Sequence, residues 1–498
     1  MKIYIKYLGL LALAITSCEP ELNNSIKDQG VYTSGDADFS NFVAVGNSLT
    51  AGYADGALYV TGQENSYPNI LAQQFSFAGG GDFRQPLVND NLGGLVLGGQ
   101  PITANRYVLS VGANGPAPAR LAGTSTTDVS VKLEGSYNNM GVPGAKSFHL
   151  LAPGYGNVAG VATGASNPYF ARFASSADAT VIGDAVAQDP SFFALWIGNN
   201  DILSYATSGG VGVDQKGNFD PTTYGGNDIT DPNVFAAAYN EMVTALSAGA
   251  SGGVLINIPD ITSIPYFTTV PYNAIPLDAQ TAAFVNQSYT DYNNAIATYA
   301  FLGYISAEEA AARTITFQAG QNAVVITDED LTVLPNPAGG SLPNLRQATA
   351  QDLVVLPASS IIGTLADPSN PASVMGVGVP LGDALVLTTE EQVLVKTAQT
   401  AYNATIKALA QANGLAFVDA QKALETVATS GISYDAGMLT SAFVTGGAFS
   451  LDGVHPTPRG YAYVANLVIK AVNNQYNSTV PVVNIGNYNT VTISNDVN

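Results

Sequence analysis

The chain has 498 residues, of which 46% are hydrophobic and only 11% are charged, and its formal net charge is −21. About a quarter of the residues of an ordinary globular protein are charged, so this surface must consist mainly of uncharged polar side chains. The negative charge argues against a nucleic-acid partner, which requires a basic face, and against purely electrostatic adhesion to anionic lipid.

Residues 1–17 have the pattern of an export signal. Lys2 and Lys6 precede an apolar run over residues 8–15, which is too short to span a bilayer but suits the core of a signal peptide. The run ends at Ile15-Thr16-Ser17-Cys18, and Cys18 is the only cysteine, so no intramolecular disulfide can form. This end resembles the lipobox of bacterial lipoproteins, in which the cysteine is acylated and becomes the mature N-terminus. The alternative is a signal peptide with an incidental cysteine.

The polar residues 18–40 are expected to form a flexible tether. Glu19 and Glu21 follow Cys18 and resemble the surface-export signals of some Bacteroidetes lipoproteins. The resemblance implies an exported protein held by lipid at the outer membrane, which it does not span. It leaves open whether the protein lies on the periplasmic face or at the cell surface.

Beyond the tether, apolar runs alternate with segments of helical periodicity. Buried strands are expected at residues 42–46, 192–197, 253–258 and 415–418. Helices are expected at residues 67–75, 231–248, 277–302, 389–413 and 457–474. This alternation predicts the α/β class, as a three-layer α/β/α sandwich with a parallel central sheet.

Two long segments break the alternation and are interpreted as insertions. Residues 76–128 are rich in Gly, Asn and Pro, and loops of such length are usually functional. Residues 314–384 contain short β-like runs at 314–317, 323–327 and 353–356, separated by Pro and Gly, and are expected to form a β-rich subdomain. The predicted domain thus covers residues 41–476, and residues 477–498 form a polar tail.

Ser48 lies just after the first predicted strand, in the sequence Gly46-Asn47-Ser48. Ligands of parallel α/β sheets bind at the carboxyl ends of the strands, and a serine hydroxyl presented there is a candidate nucleophile. The alternative is that Ser48 only caps the next helix.

A serine nucleophile needs a base, and the chain has only two histidines, His149 and His455. His455 is preceded by Asp452 with Gly453 between them, so the carboxylate can fold back and accept the imidazole Nδ1–H. If Ser48 and His455 act together, Ser48 Oγ must lie within hydrogen-bond reach of His455 Nε2. His149 lies on an apolar segment after Gly144 and is expected to be packed or at the rim of the site.

Donors for a developing oxyanion are expected at two further strand ends. Gly144 offers an N–H with no side chain in the way, and Asn200, within Gly198-Asn199-Asn200-Asp201, offers a neutral amide. Asp201 is expected to stabilise its turn and Trp196 to pack in the core. The aromatic residues Tyr266, Phe267 and Tyr272 either line a substrate pocket or only pack.

In order and placement these motifs resemble the four sequence blocks of the SGNH (GDSL) esterases and lipases. The blocks are Gly46-Asn47-Ser48-Leu49, Gly144, Gly198-Asn199-Asn200-Asp201 and Asp452-Gly453-Val454-His455-Pro456. The resemblance covers about residues 42–201 and 389–474. It implies that Ser48 is the nucleophile, His455 the base and Asp452 its orienting partner. It also implies an oxyanion hole formed by the N–H groups of Ser48 and Gly144 and the Asn200 side chain.

The sequence departs from the family in two places. Asn47 stands where the family usually has Asp, and the gap from Asp201 to Asp452 is much longer than in compact members. The long gap bears on the shape of the substrate site more than on the chemistry.

The resulting hypothesis is an exported, lipid-anchored serine esterase or lipase that acts on an ester of a lipid or an acylated glycan. No cofactor is implied, and the two distant histidines give no metal motif. The alternative is a cell-surface lipoprotein that binds glycan or lipid on a relict hydrolase fold. The sequence indicates neither the oligomeric state nor the acyl chain.

Overall fold

The computed structural model describes residues 31–112, 115–336, 339–435 and 437–493. The predicted signal segment, Cys18 and residues 18–30 of the predicted tether lie outside the described residues. Residues 31–40 pack against the domain: the Phe39 ring stacks on Phe75 at a centroid distance of 4.1 Å, and Asp36 N–H donates to the Tyr476 carbonyl over 2.7 Å. The packed chain therefore begins before residue 41, the start expected from the sequence.

The centre of the molecule is a five-stranded sheet in which all neighbouring strands are parallel. Its strands in chain order are β1 (Phe42–Gly46), β2 (Asn139–Gly141), β3 (Phe192–Trp196), β4 (Gly252–Ile256) and β5 (Ala416–Val418). They are arranged in the order β5-β4-β3-β1-β2. The second strand thus lies on one side of β1, and the third, fourth and fifth strands lie on the other. A crevice at such a reversal is where open α/β sheets bind their ligands.

Successive side chains of these strands point to opposite faces and enter two separate hydrophobic clusters. On β3, for example, Phe193 and Leu195 pack in one cluster while Phe192 and Ala194 pack in the other. Both faces are covered, which explains why the strands are continuous apolar runs without alternating polar residues.

Helices cover both faces, which confirms the predicted three-layer α/β/α sandwich. One layer contains α3 (Tyr67–Phe75) and α14 (Pro458–Tyr476), and the other contains α5 (Val181–Val186), α7 (Pro232–Ser247) and α12 (Thr389–Ala412). Asp231 caps α7 through its side chain, which accepts from the N–H groups of Asn233 and Val234. The remaining α-helices of the described chain are α1 (Ser48–Ala51), α2 (Val60–Glu64), α4 (Pro168–Ala171), α6 (Asn200–Thr207), α8 (Pro265–Thr268), α9 (Ala279–Ser288), α10 (Thr290–Phe301), α11 (Ala307–Arg313) and α13 (Ala420–Thr429).

The single helix predicted for residues 277–302 is wrong, because it is divided at Tyr289 into α9 and α10. Tyr289 is buried, and its hydroxyl donates to the Val377 carbonyl in the second insertion. This anchor holds Tyr289 at the junction between the two helices.

Both insertions consist of short strands and loops. The first holds a three-stranded sheet and a hairpin. The second holds three pairs of short antiparallel strands, two of which include a strand outside the insertion. The strands are Leu95–Leu97, Gln100–Pro101 and Thr127–Asp128; Tyr107–Gly112 and Gly115–Arg120; Ile275–Leu277 and Gly320–Asn322; Val325–Thr327 and Leu345–Gln347; and Leu353–Val354 and Val386–Leu387. A last hairpin, Ile432–Tyr434 with Gly437–Leu439, follows α13.

Residues 314–317, expected as a strand, do not form one. The N–H of Ile315 donates to Asn293 Oδ1 over 3.0 Å, and that of Phe317 donates to Asn286 Oδ1 over 2.8 Å. Side chains of α9 and α10 thus take the place of a partner strand, which an apolar pattern cannot reveal.

Within the described part of the chain, no helix combines the length and the apolar character needed to cross a membrane.

Candidate active site

Ser48 is the first residue of α1, directly after β1 and a tight turn. A Cβ atom at Gly46 would lie 2.2 Å from Thr50 Oγ1 and 2.3 Å from the Trp196 carbonyl oxygen, so a side chain cannot fit there. The cap of α1 is Asn47, whose Oδ1 accepts from the Leu49 N–H over 3.0 Å. Ser48 is therefore not the cap, and its hydroxyl is free for another partner.

That partner is His455. The distance from Ser48 Oγ to His455 Nε2 is 2.9 Å, and His455 Nδ1 lies 2.9 Å from Asp452 Oδ2. The contact expected from the sequence is thus present between residues that are 407 positions apart. Side-chain exposure is 14% for His455 and 12% for Asp452, so both are largely shielded from water.

Asp452 is held by donors on both carboxylate oxygens. Oδ1 accepts from the N–H groups of Val454 and His455 at 2.9 Å each and from Ser450 Oγ at 3.1 Å, and Oδ2 also accepts from the Gly56 N–H at 2.8 Å. Burial raises the pKa of Asp452, but the charge and hydrogen bonds of His455 and the backbone donors outweigh it and lower the pKa to about 2. Asp452 is therefore ionised at neutral pH.

Asp55 ties the segment after Ser48 to the loop that carries the histidine. Its Oδ1 accepts from the Leu451 N–H over 3.0 Å, and its own N–H donates to Ser450 Oγ over 2.9 Å. The buried carboxylate also accepts from Tyr59 Oη over 2.8 Å, and the backbone of Asp55 has a φ of 53°, a conformation that few non-glycine residues adopt. Asp55 is a positioning residue, since it acts on the reactive groups through Ser450 and Leu451.

Tyr53 covers the imidazole. Its ring centroid lies 4.7 Å from that of His455, and its carbonyl accepts from Tyr461 Oη over 2.6 Å. The histidine is thereby packed on one side and hydrogen-bonded at both ring nitrogens, which limits its orientation.

The candidate oxyanion donors lie at the ends of the strands next to β1. The N–H of Val142 donates to the Gly46 carbonyl over 2.9 Å, which brings the turn after β2 alongside the turn before Ser48. Gly144 is exposed and has a φ of 81°, so a residue with a side chain would be strained there. Asn200 begins α6, and its Nδ2 donates to the Ala145 carbonyl over 2.9 Å, which leaves its second amide hydrogen for another acceptor.

Asp201 connects these two strand ends. It is fully buried, and its two carboxylate oxygens accept from Ser147 N–H over 2.8 Å and from Ser147 Oγ over 2.7 Å. Burial raises the pKa of Asp201. We expected Asp201 to stabilise its own turn, whereas its carboxylate instead holds Ser147 in the segment after β2.

His149 is packed, as expected. Its ring stacks on Tyr155 at 4.7 Å between centroids, and its Nδ1 accepts from the Lys146 N–H over 3.1 Å. Burial and the Lys146 charge lower the pKa of His149 to about 4, so it is neutral at pH 7. Trp196 is also buried, and its indole N–H donates to the Asn257 carbonyl.

A cavity of about 910 Å³, including its opening to solvent, extends from Ser48 and His455. It lies at the carboxyl ends of β3, β4 and β5, beside α13 and α14. Apart from Ser48, His455, Asn199 and Asn200, its lining is mostly aliphatic or aromatic. The apolar lining includes Trp196, Ile256, Leu424, Val427, Val464 and Leu467.

The aromatic residues of the loop after β4 pack outside this cavity. Phe267 is buried, and Tyr266 N–H donates to the Gly453 carbonyl over 2.9 Å while its Oη donates to the Thr207 carbonyl over 3.0 Å. Tyr266 thus supports the loop between Asp452 and His455. Of the two roles considered for these aromatic residues, the structure shows packing.

Sequence reasoning missed Tyr53, Asp55 and Ser450. The Asp55-Gly56 dipeptide is a turn signal that could have marked the tight backbone at this point. No local pattern links it to Leu451, which is 396 positions away.

Comparisons with known proteins add little to this geometry. No family model matches the chain, and no curated protein matches it. Among solved structures the chain is similar to LAE5, an alpha/beta hydrolase enzyme from the metagenome of Lake Arreo, Spain, with 10% identity and a TM-score of 0.31 over 88% of this chain and 96% of that chain. It is also similar to a mutant of Axe2, an acetyl-xylooligosaccharide esterase from Geobacillus stearmophilus, with 10% identity and a TM-score of 0.30 over the same shares. At such low TM-scores neither likeness carries an argument about this chain.

The replacement Asp55→Asn should change how stability depends on pH. Burial, reinforced by the charge of Asp452, raises the pKa of Asp55 to about 6 from an ordinary value of 3.8. Between these two pH values the folded state binds more protons than the unfolded state, so the unfolding free energy falls as pH rises. The contribution of this group is at most roughly 3 kcal/mol.

Chemical denaturation between pH 4 and pH 6 measures the effect. The unfolding free energy of Asp55→Asn should fall less over this range than that of the parent chain. The exposed control Asp82→Asn should follow the parent chain. Parallel curves for Asp55→Asn and the parent would show that Asp55 does not titrate there.

Proposed function

We propose that this protein is a serine ester hydrolase of the SGNH type, with Ser48 as nucleophile, His455 as base and Asp452 as the orienting acid. The observation that carries the proposal is the continuous contact from Asp452 through His455 to Ser48, with 2.9 Å at each step. An imidazole between a hydroxyl and an ionised carboxylate is the arrangement that acyl transfer to serine requires.

In the proposed reaction, Ser48 Oγ attacks the ester carbonyl carbon while His455 Nε2 takes the hydroxyl proton. Asp452 accepts the hydrogen bond from Nδ1–H and stabilises the imidazolium that forms. His455 then donates the proton to the leaving alcohol, and an acyl group remains on Ser48. Water, activated by His455 in the same way, releases the acid and restores the serine.

The negative charge that develops on the carbonyl oxygen would be bound by the N–H groups of Ser48 and Gly144 and the amide of Asn200. Two contacts support this assignment: Asn200 bonds to Ala145, next to Gly144, and Asp201 bonds to Ser147 on the same turn. Donors held by such contacts stabilise the oxyanion without reorganising during the reaction.

The position of Asn47 is compatible with the SGNH assignment. Its amide oxygen caps α1, and its Nδ2 donates to Asn199 Oδ1 over 3.2 Å, so it joins the Ser48 turn to the turn after β3. An Asp at position 47 could supply the capping acceptor but not this amide donor. The departure therefore concerns positioning of the turn and leaves the three reacting groups unchanged.

The cavity favours an ester with an aliphatic acyl group. Aliphatic and aromatic side chains line most of it beyond the polar groups near Ser48, and burial of such a chain is favourable by about 0.8 kcal/mol per methylene. An acetyl group on Ser48 would contact only the part of this apolar lining nearest to Ser48. We therefore place lipid-like esters ahead of acetylated glycans as the substrate class.

A relict fold that only binds glycan or lipid is the weaker alternative. A binding protein has no need for a serine, a histidine and an ionised carboxylate in sequential contact, nor for the donors that hold Asp452.

Ser48→Ala should abolish ester hydrolysis and leave the fold intact, because it removes only the nucleophilic hydroxyl. Hydrolysis of p-nitrophenyl butyrate should fall by at least about a thousandfold, and thermal unfolding should be unchanged. Ser40→Ala, at an exposed serine before β1, is the matched control and should retain full activity. Full activity in a folded Ser48→Ala protein would refute the assignment.

Val464→Phe should shorten the acyl chain that the enzyme accepts, because Val464 lines the cavity from α14. Its kcat/KM for p-nitrophenyl octanoate should fall at least about tenfold relative to its kcat/KM for the acetate. Val393→Phe, on the exposed face of α12, should leave this ratio unchanged. A parent enzyme that prefers acetate over every longer ester would contradict the proposed substrate class.

We further propose that the protein is an exported lipoprotein that is acylated at Cys18 and held at the outer membrane. The support is the sequence pattern of Lys2, Lys6, the apolar run and the single cysteine. In a bacterial host, Cys18→Ala should move the exported protein from the membrane fraction to the soluble fraction. Unchanged membrane association of that variant would contradict acylation at Cys18.

A further inference from the structure

Three carboxylates converge on one point outside the active site. Glu329, Asp383 and Glu391 each place an oxygen so that the three oxygens lie within 4.8 Å of one another. Glu329 follows the strand Val325–Thr327 in the second insertion, Asp383 lies where the insertion returns to the core, and Glu391 is in the first turn of α12.

The group most shielded from water is Glu391, which is only 3% exposed. Its Oε2 accepts from the Thr388 N–H over 2.6 Å and from Thr388 Oγ1 over 2.9 Å, which caps α12. Among the described residues, however, its Oε1 has no hydrogen-bond partner, and neither does Asp383 Oδ1 in the same cluster. A buried carboxylate oxygen without a partner is costly, so this cluster requires a cation or protons.

Arg346, which lies in the same insertion as Glu329, already has carboxylate partners. Arg346 binds Asp352 through two parallel hydrogen bonds of 2.7 and 2.8 Å and also binds Asp328. The charged neighbours that most affect Asp383 are the carboxylates of Glu329, Asp328 and Asp330. Burial and these like charges raise the pKa of Asp383 to about 6, and burial with Glu329 and Asp383 raises that of Glu391 to about 8.

We propose that Glu329, Asp383 and Glu391 bind a calcium ion. All three ligands are hard carboxylate oxygens, which suit calcium and do not suit zinc, whose protein ligands are mainly nitrogen and sulfur. The three oxygens lie close enough together for one calcium ion, whose oxygen ligands are at about 2.3–2.6 Å, to contact all of them. The exposed Glu329 gives the ion access from solvent.

The sequence alone could not reveal this site, because its three carboxylate ligands come from separate elements and form no motif. The ion would cross-link the second insertion, through Glu329, to α12 of the core, through Glu391. The site also lies beside the loop after α6: a Cβ atom at Gly210 would be 1.6 Å from Glu391 Oε1. Calcium would thus stabilise the insertion near the end of the helix that begins with Asn200.

The test uses the full chain after removal of divalent cations with EDTA. Calcium chloride is added in isothermal titration calorimetry, and thermal unfolding is followed with and without calcium. We expect a single calcium site and a higher unfolding temperature in its presence. Glu329→Gln and Asp383→Asn should weaken calcium binding by at least about tenfold and remove the thermal shift.

Glu390→Gln is the matched control, because Glu390 is an exposed neighbour on α12 that is outside the cluster. It removes the same charge and should keep both calcium binding and the thermal shift. Glu329 lies on an exposed loop, so Glu329→Gln remains a fair test even if Asp383→Asn does not fold.

Three outcomes would overturn the proposal. The first is no calcium binding by the parent chain, and the second is an equal thermal shift in all variants, which would indicate general screening of the negative surface. The third is an equal effect of magnesium, which would overturn the assignment to calcium. In the first case, an unfolding temperature of Glu329→Gln above that of the parent chain would show that the carboxylates share protons instead.

Discussion

The structure of the candidate site depends on one chain of hydrogen bonds, from Asp452 through His455 to Ser48. It joins residues 407 positions apart, so it exists only if the first and last elements of the fold meet at one edge of the sheet. The contacts around it maintain that meeting. Asp55 holds Leu451 and Ser450, the Gly56 N–H holds Asp452, and Tyr266 holds the Gly453 carbonyl. A loop with so many backbone anchors fixes the orientation of the imidazole, as the proposed general-base role of His455 requires.

Much of this arrangement could be predicted from the sequence, and the reason is physical. Parallel strands buried on both faces are continuous apolar runs, so β1, β3, β4 and β5 are visible without a structure, as are the capped helices α7 and α12. Because the carboxyl ends of parallel strands share an edge, Ser48 and Asn200 could be placed on that edge from order alone. The Asp452–His455 spacing then indicated the candidate base.

The remaining features depend on contacts that leave no periodic pattern. Residues 314–317 have the composition of a strand but satisfy their N–H groups with Asn286 and Asn293 side chains. A continuous helical pattern is divided at Tyr289, whose hydroxyl donates to the Val377 carbonyl in the second insertion. Asp55, Tyr53 and the acidic cluster at Glu391 are likewise defined by neighbours that are distant along the chain. These contacts lie outside the insertions, as at Asp55 and Tyr289, as well as within them, so no local stretch of sequence reveals them.

The most direct test of the central claim is covalent labelling with a fluorophosphonate, followed by intact-protein mass measurement and peptide mapping. Such a probe reacts with a serine only when a neighbouring base and oxyanion donors activate it. If Ser48 is the nucleophile, one adduct per chain should form on Ser48, and none on the folded Ser48→Ala protein. An adduct on another residue, or no adduct on the folded parent protein, would contradict that assignment.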